Sequence, residues 1–336
     1  MKRLLLLVRA ALRDDPLDAT DVQEIRSWSQ GDWADLLELA REQSVTGLVY
    51  QALSLWPEQE PPAQLSEDQF YTLVSRADHI ERRSGRMTAL SQALVARLQS
   101  AGLHPQVLKG PVTAGYYPRP AFREYGDVDL YLPAGELPTL AATVPEGVRK
   151  PDGSFHFEQE GVDVDVHPNW LDLPYAAKGL PAWPAPEAQL LMLSAHILKH
   201  ATGAGVGLRQ VVDMAAAYRK LDYSPDALKA LYKSLHLERW NRLLCSFLAR
   251  YLDTPNRLYP EDRLSPEPLM RIVREGGNFG HHAASRSRAL SRSAVLRKVD
   301  TALCFLRRLP FSLRYGPRLA FSAFSTLVKG NLHRAR

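Results

Sequence analysis

The chain has 336 residues, of which 45% are hydrophobic and 24% charged. That suits a folded globular protein with one large domain or two modest ones and argues against a disordered or fibrous chain. Two cysteines, Cys245 and Cys304, give no disulfide framework and no thiolate metal site, and they fit a reducing, cytoplasmic setting. The formal net charge of +5 is concentrated after residue 270, where Arg286, Arg288, Arg292, Arg297, Lys298, Arg307, Arg308, Arg314, Arg318 and Lys329 stand against only two acids, Glu275 and Asp300. A cationic segment of this kind suits an anionic partner.

Met1-Lys-Arg-Leu-Leu-Leu-Leu-Val8 is too short an apolar run for a signal sequence, is cut off by Arg9, and reads as an amphipathic first helix. No stretch approaches the ~18–20 apolar residues needed to span a bilayer. Leu36 to Ala40 and Leu48 to Leu55 mark two further helices. A long one is predicted from Ser66 as N-cap to about Ser100, with Glu67 and Asp68 in its first turn and Gly102 as the stop.

The pattern changes after residue 104. Pro105 to Lys109 reads as a short strand, residues 111–117 as one or two helical turns, and 135–143 as a short helix. Asp127 to Leu132 alternates, with Val128, Leu130 and Leu132 on one face and Asp127, Asp129 and Tyr131 on the other. Ser154 to Glu160 and Val162 to His167 alternate around Gly161 and predict a hairpin. From Pro186 the chain is helical again, with candidate helices at 187–201, 208–221, 225–235 and 238–252. A loop is predicted at 253–268, and basic helical segments at 284–306 and 313–330. The organisation is an N-terminal helical region (1–103), an α/β core (104–185), and a C-terminal helical region with a basic tail (186–336).

Two carboxylates on one strand face, Asp127 and Asp129, repel each other wherever water is scarce. A divalent cation is the usual remedy, and Mg²⁺ pairs protein carboxylates with substrate phosphates. Asp163, Asp165 and His167 repeat the pattern, opposite Val162, Val164 and Val166. If the two strands pair, Asp163 or Asp165 adds a third carboxylate able to orient or deprotonate a hydroxyl. Asp is disfavoured in strands, so two such strands are harder to read as merely solvated than one. His167 either orients a carboxylate or is a plain hydrogen-bonded side chain, and His156 on the partner strand carries the same two readings. Arg123 either contacts a phosphate or pairs with local acids. His196 and His200 share a helix face at a spacing that suits zinc, but no Glu follows His196 and no third ligand is evident. Lining a cleft and packing are the other readings. Aromatic residues among the arginines of the tail suit either packing on the main body or an anionic membrane surface. No recognised nucleic-acid motif is present.

The run Leu108-Lys-Gly110, Tyr117-Pro118, Arg123, Asp127-Val-Asp129-Leu130 and Asp165-Val-His167 resembles an uncharacterised nucleotidyltransferase-like family of bacteria, within the DNA polymerase beta-like superfamily. The likeness continues into His196-Ile-Leu-Lys-His200 and Leu208-Arg-Gln-Val-Val-Asp213 and covers most of residues 30–220. It implies an α+β fold, a small mixed sheet with flanking helices embedded in a mainly helical chain. It also implies Mg²⁺, with Mn²⁺ as a substitute, and transfer of a nucleoside monophosphate from an NTP with release of pyrophosphate. By that resemblance Asp127, Asp129 and Asp165 are the metal-binding and catalytic carboxylates, with Asp163 as second choice for the third. The Gly-Ser pair that cradles a triphosphate is absent, and Lys109-Gly110 stands in its place, with a backbone able to approach a phosphate and an added charge. The implied acceptor is a small molecule or a protein or peptide hydroxyl. Two alternatives stand beside this: a non-catalytic nucleotide- or partner-binding protein of the same fold, and an accessory protein peripheral to an anionic membrane through the basic tail. An intact third carboxylate favours catalysis.

Overall fold

The computed structural model describes residues 1–57, 61–171, 173, 179–203, 205–277, 306–319 and 321. Residues 1–170 and 171–336 form two compact units.

The first unit opens with α1 (Lys2–Arg13), whose Leu4 to Val8 run is buried. α2 (Ala19–Arg26) follows, capped by the Asp18 side chain, which accepts from Asp21 N at 2.8 Å. This helix was not anticipated, because eight residues with two buried apolar positions, Val22 and Ile25, show almost no periodicity. α3 (Gln30–Glu42) starts on a Ser29–Asp32 capping box, and α4 (Thr46–Leu53) packs on α1. α5 (Glu67–Ser100) is the predicted long helix. Ser66 and Gln69 form a reciprocal capping box at its start. At its end Gly102 adopts φ +78°, and Leu103 N donates to Leu98 O at 3.1 Å, closing the last turn.

Next come β1 (Gln106–Val107), the short α6 (Pro111–Ala114), a 3-10 turn (Pro120–Phe122), β2 (Val128–Tyr131) and α7 (Leu137–Thr143). β3 (Val148–Arg149), β4 (Phe155–Gln159) and β5 (Val162–His167) complete an open sheet of order β1-β2-β5-β4-β3. β2 and β5 are parallel, and the other pairs antiparallel, so the sheet is mixed. The β4–β5 hairpin turns on Glu160 (φ +53°) and Gly161 (φ +75°), the two positive φ values that a tight hairpin needs. β3 escaped the sequence reading because two exposed residues carry no alternation.

One sheet face is apolar. Val128 and Leu130 of β2, Val164 and Val166 of β5, and Phe155 and Phe157 of β4 are buried against Leu94 and Leu98 of α5 and Leu137 and Leu140 of α7. Burying each such side chain contributes about 1.5–3 kcal/mol before the entropy of ordering it, so this layer fixes the register. The opposite face carries the acids.

The second unit contains α8 (Pro186–Thr202), α9 (Leu208–Lys220), α10 (Pro225–Ser234), α11 (Glu238–Leu252) and α12 (Glu267–Gly276). The first four match the predicted helices to within a residue or two. α12 was not anticipated, since its buried Leu269, Met270, Ile272 and Val273 alternate with charges over only ten residues. Inside this unit, Trp240 Nε1 donates to Ser194 O (3.1 Å) and Ser194 Oγ to Asn241 Oδ1 (2.7 Å), which satisfies four buried polar atoms. Burial pushes the Cys245 thiol up to about 12, so it sits there as an inert apolar group. The predicted basic segment at 284–306 lies outside the described residues except for residue 306. Residues 306–315 are helical, so helix is already present before the second predicted segment (313–330); Gly316 interrupts it, 317–319 are helical again, and 320 and 322–330 lie outside the described residues. Among the described residues no helix is long and apolar enough to cross a membrane.

Candidate active site

The polar face of the sheet collects most of the residues singled out above. Asp129 and Asp165 are direct partners across the parallel β2–β5 ladder, on strands about 4.8 Å apart. Period-two alternation puts their side chains on one face, with Asp127 and Tyr131 beside Asp129 and with Asp163 and His167 beside Asp165.

The two central carboxylates are held differently. Asp129 is buried, with Lys109 Nζ 3.3 Å from Oδ2 and His167 Nε2 3.0 Å from Oδ1. Burial pushes this carboxyl up, but the Lys109 ammonium and the His167 hydrogen bond outweigh it and hold the group well below the usual carboxylate range. Asp165 is half-buried. Lys150 Nζ lies 2.6 Å from its Oδ1, and His156 Nδ1 lies 3.2 Å from the same oxygen. Asp163 is exposed, and His156 Nε2 approaches it at 3.4 Å. His156 thus links Asp163 and Asp165, and His167 steadies Asp129.

Asp127 is exposed and immediately precedes β2. Its position is set by α5. Arg83 donates from Nε to Tyr125 O and from Nη2 to Gly126 O, both at 3.4 Å, and the Tyr125 hydroxyl reaches Thr88 Oγ1 (2.9 Å) and Ser84 O (3.1 Å). The Lys109-Gly110 turn is set from β2. Leu108 N donates to Asp129 O at 2.9 Å, which extends the ladder to the residue before Lys109. Gly110 then adopts φ +62°, ψ −111°, where a side chain is strained, and a Cβ there would lie 3.4 Å from the Tyr125 ring. Arg123 is buried, with Nη1 3.5 Å from Gly110 O and its guanidinium carbon 5.6 Å from the centre of the Tyr125 ring. It braces the turn from behind.

His196 and His200 lie on α8 of the second unit, their rings edge to face with centroids 4.4 Å apart. Lys150 was missed at the sequence level. It sits in the Lys150-Pro-Asp-Gly153 turn before β4, and only the pairing of β3, β4 and β5 carries it to Asp165. Arg83 was missed for a similar reason, since its contact spans 43 residues of sequence.

Among the described residues no group of three His, Cys, Asp or Glu side chains is arranged to enclose a metal by itself. The donor set is nonetheless right for a hard cation. Asp127, Asp129 and Asp165 offer only oxygens from neighbouring strands, and Mg²⁺ commonly takes one or two carboxylates and completes its shell with substrate phosphates and water. The residues therefore suit a cation that arrives with a phosphate, not one caged in advance.

The chain belongs to the family described as uncharacterised nucleotidyltransferase, whose model matches residues 29–253. No curated protein and no solved structure matches it.

Proposed function

We propose that this protein is an Mg²⁺-dependent nucleotidyltransferase, with Mn²⁺ able to substitute, that moves a nucleoside monophosphate from an NTP to a hydroxyl of a small molecule, protein or peptide. The observation that carries the reading is the register of Asp129 against Asp165 on adjacent parallel strands, with Asp127 two residues upstream on the same face. Asp127, Asp129 and Asp165 would hold the cation, which when bound neutralises charge on the transferring phosphate and its leaving group. Lys109 and the Gly110 backbone face the phosphates, and Arg123 keeps their turn in shape. Asp165 takes the proton of the attacking hydroxyl, and His156, in contact with it, keeps its carboxylate oriented. His167 does the same for Asp129.

The test is incubation with NTPs labelled at the α-phosphate, with Mg²⁺ and a panel of hydroxyl acceptors, the protein itself included. Wild type is expected to place label on an acceptor. Asp127→Ala/Asp129→Ala is expected to lose at least about a hundredfold in rate, the scale seen when groups that stabilise transition-state charge are removed. Equal labelling by both would overturn the assignment. Retention of NTP without transfer would leave a nucleotide-binding protein of the same fold.

A further inference from the structure

The two central carboxylates are each neutralised by a lysine, and the lysines arrive from opposite edges of the sheet. Lys109 follows the edge strand β1 and meets Asp129 on β2 at 3.3 Å. Lys150 follows the other edge strand, β3, and meets Asp165 on β5 at 2.6 Å. With His156 and His167 against them, Asp165 Oδ1 and both oxygens of Asp129 already have partners. A divalent cation drawn to Asp129 and Asp165 would compete with these partners.

Resting on the reading just proposed, we infer that Lys109 and Lys150 are exchangeable counter-ions: they hold Asp129 and Asp165 while no nucleotide is bound, and they move to the polyphosphate when it enters with its cation. Three physical points support the exchange. A buried carboxylate such as Asp129 cannot stay ionised without a positive partner, so something must occupy the place until a cation arrives. A dication entering alone would meet two ammonium groups at close range, which Coulomb's law disfavours unless both are displaced into water. A polyphosphate supplies the missing negative charge and gives each ammonium a new partner in the same step. The lysines are also built to move, since their side chains are 21% and 40% exposed on flexible four-carbon stems. Cation binding then depends on nucleotide, and the dependence is reciprocal.

The measurement is Mn²⁺ binding to the full chain, read by electron paramagnetic resonance or calorimetry, with and without a non-hydrolysable NTP analogue. Wild type is expected to bind Mn²⁺ weakly alone and much more tightly with the analogue. Lys109→Met and Lys150→Met are each expected to tighten nucleotide-free Mn²⁺ binding by about tenfold or more, the scale of removing one like charge a few ångströms away. The enhancement by the analogue should shrink in proportion, while Lys150→Arg stays near wild type. If Lys109→Met does not fold, Lys150→Met carries the test, because Lys150 is the more exposed of the two. Folded variants that bind Mn²⁺ no more tightly than wild type would overturn the exchange. So would wild type that binds Mn²⁺ equally well with and without the analogue, and in that case the site reading survives. Absence of Mn²⁺ binding even with the analogue, or binding indifferent to Asp127→Ala/Asp129→Ala, would bring down the site reading and the exchange together.

Discussion

Asp129 sits on the polar side of the sheet, yet Lys109 and His167 cover it until it is 7% exposed. Its carboxyl lies below the ordinary 3.8 in the folded chain. A depressed carboxylate contributes stability that is present above the unfolded value and is lost as pH falls below it. Unfolding free energy should therefore drop below about pH 4, with Asp129 supplying up to about 1.4 kcal/mol of the slope per pH unit. Asp129→Asn removes that part, and urea unfolding between about pH 7 and pH 3 should show a flatter acid limb. An acid limb identical to wild type would mean that Asp129 is not held by Lys109 and His167 in solution. At this scale the Asp-X-Asp strands were legible, because alternation alone puts both acids on one face. The partners of each acid were not. Lys109, Lys150, His156 and His167 are distributed across four strands or their ends, and only strand order says which touches which.

α4 meets the 3-10 turn ahead of Asp127 at close range. A Cβ on Gly47 would lie 2.2 Å from Phe122 O, a clash with backbone that cannot rotate away. Nearby, Thr46 N donates to Glu124 Oε1 at 2.8 Å, and the Tyr50 and Phe122 rings meet edge to face at 5.3 Å. Gly47→Ala should cost about 1–3 kcal/mol, as overpacking does. Gly85 on α5 has nothing within 4 Å of a Cβ, and Gly85→Ala there should stabilise by about 0.4–1 kcal/mol through the unfolded chain. Chemical denaturation of both variants checks the contrast, and equal effects would contradict it. Helix ends with side-chain signals, such as Ser66 with Gln69, could be read directly from residues. α2 and β3 could not, since short elements owe their form to the neighbours they pack or pair with.

The molecule divides at residue 170, and the sheet core falls wholly on one side of that boundary. Every member of the cluster from Met87 to Val166 lies within the first unit. The carboxylates, both lysines, His156, His167, Arg83 and Arg123 lie there too. A polypeptide of residues 1–170 is accordingly expected to unfold in one cooperative transition by circular dichroism. A gradual, non-cooperative melt would show that the first unit needs the rest of the chain. The family match runs on to residue 253, the residue after the end of α11, so α8 to α11 of the second unit fall within the same family pattern as the sheet, while α12 lies beyond it.

From the residues alone came the helical leader, the α/β centre, the hairpin on Gly161 and the two acidic strand faces. Each depends on local periodicity, caps or turn chemistry, which neighbouring residues determine. The sequence did not reveal that β5 lies parallel beside β2, with Asp165 abreast of Asp129. That pairing joins residues 36 apart, 129 and 165, and is selected by the common burial of Val128, Leu130, Val164 and Val166. The tertiary structure also decided that Asp129 and Asp165 would each have a lysine partner. Lys109 and Lys150 are remote in sequence, and they converge only because β1 and β3 close opposite edges of one sheet.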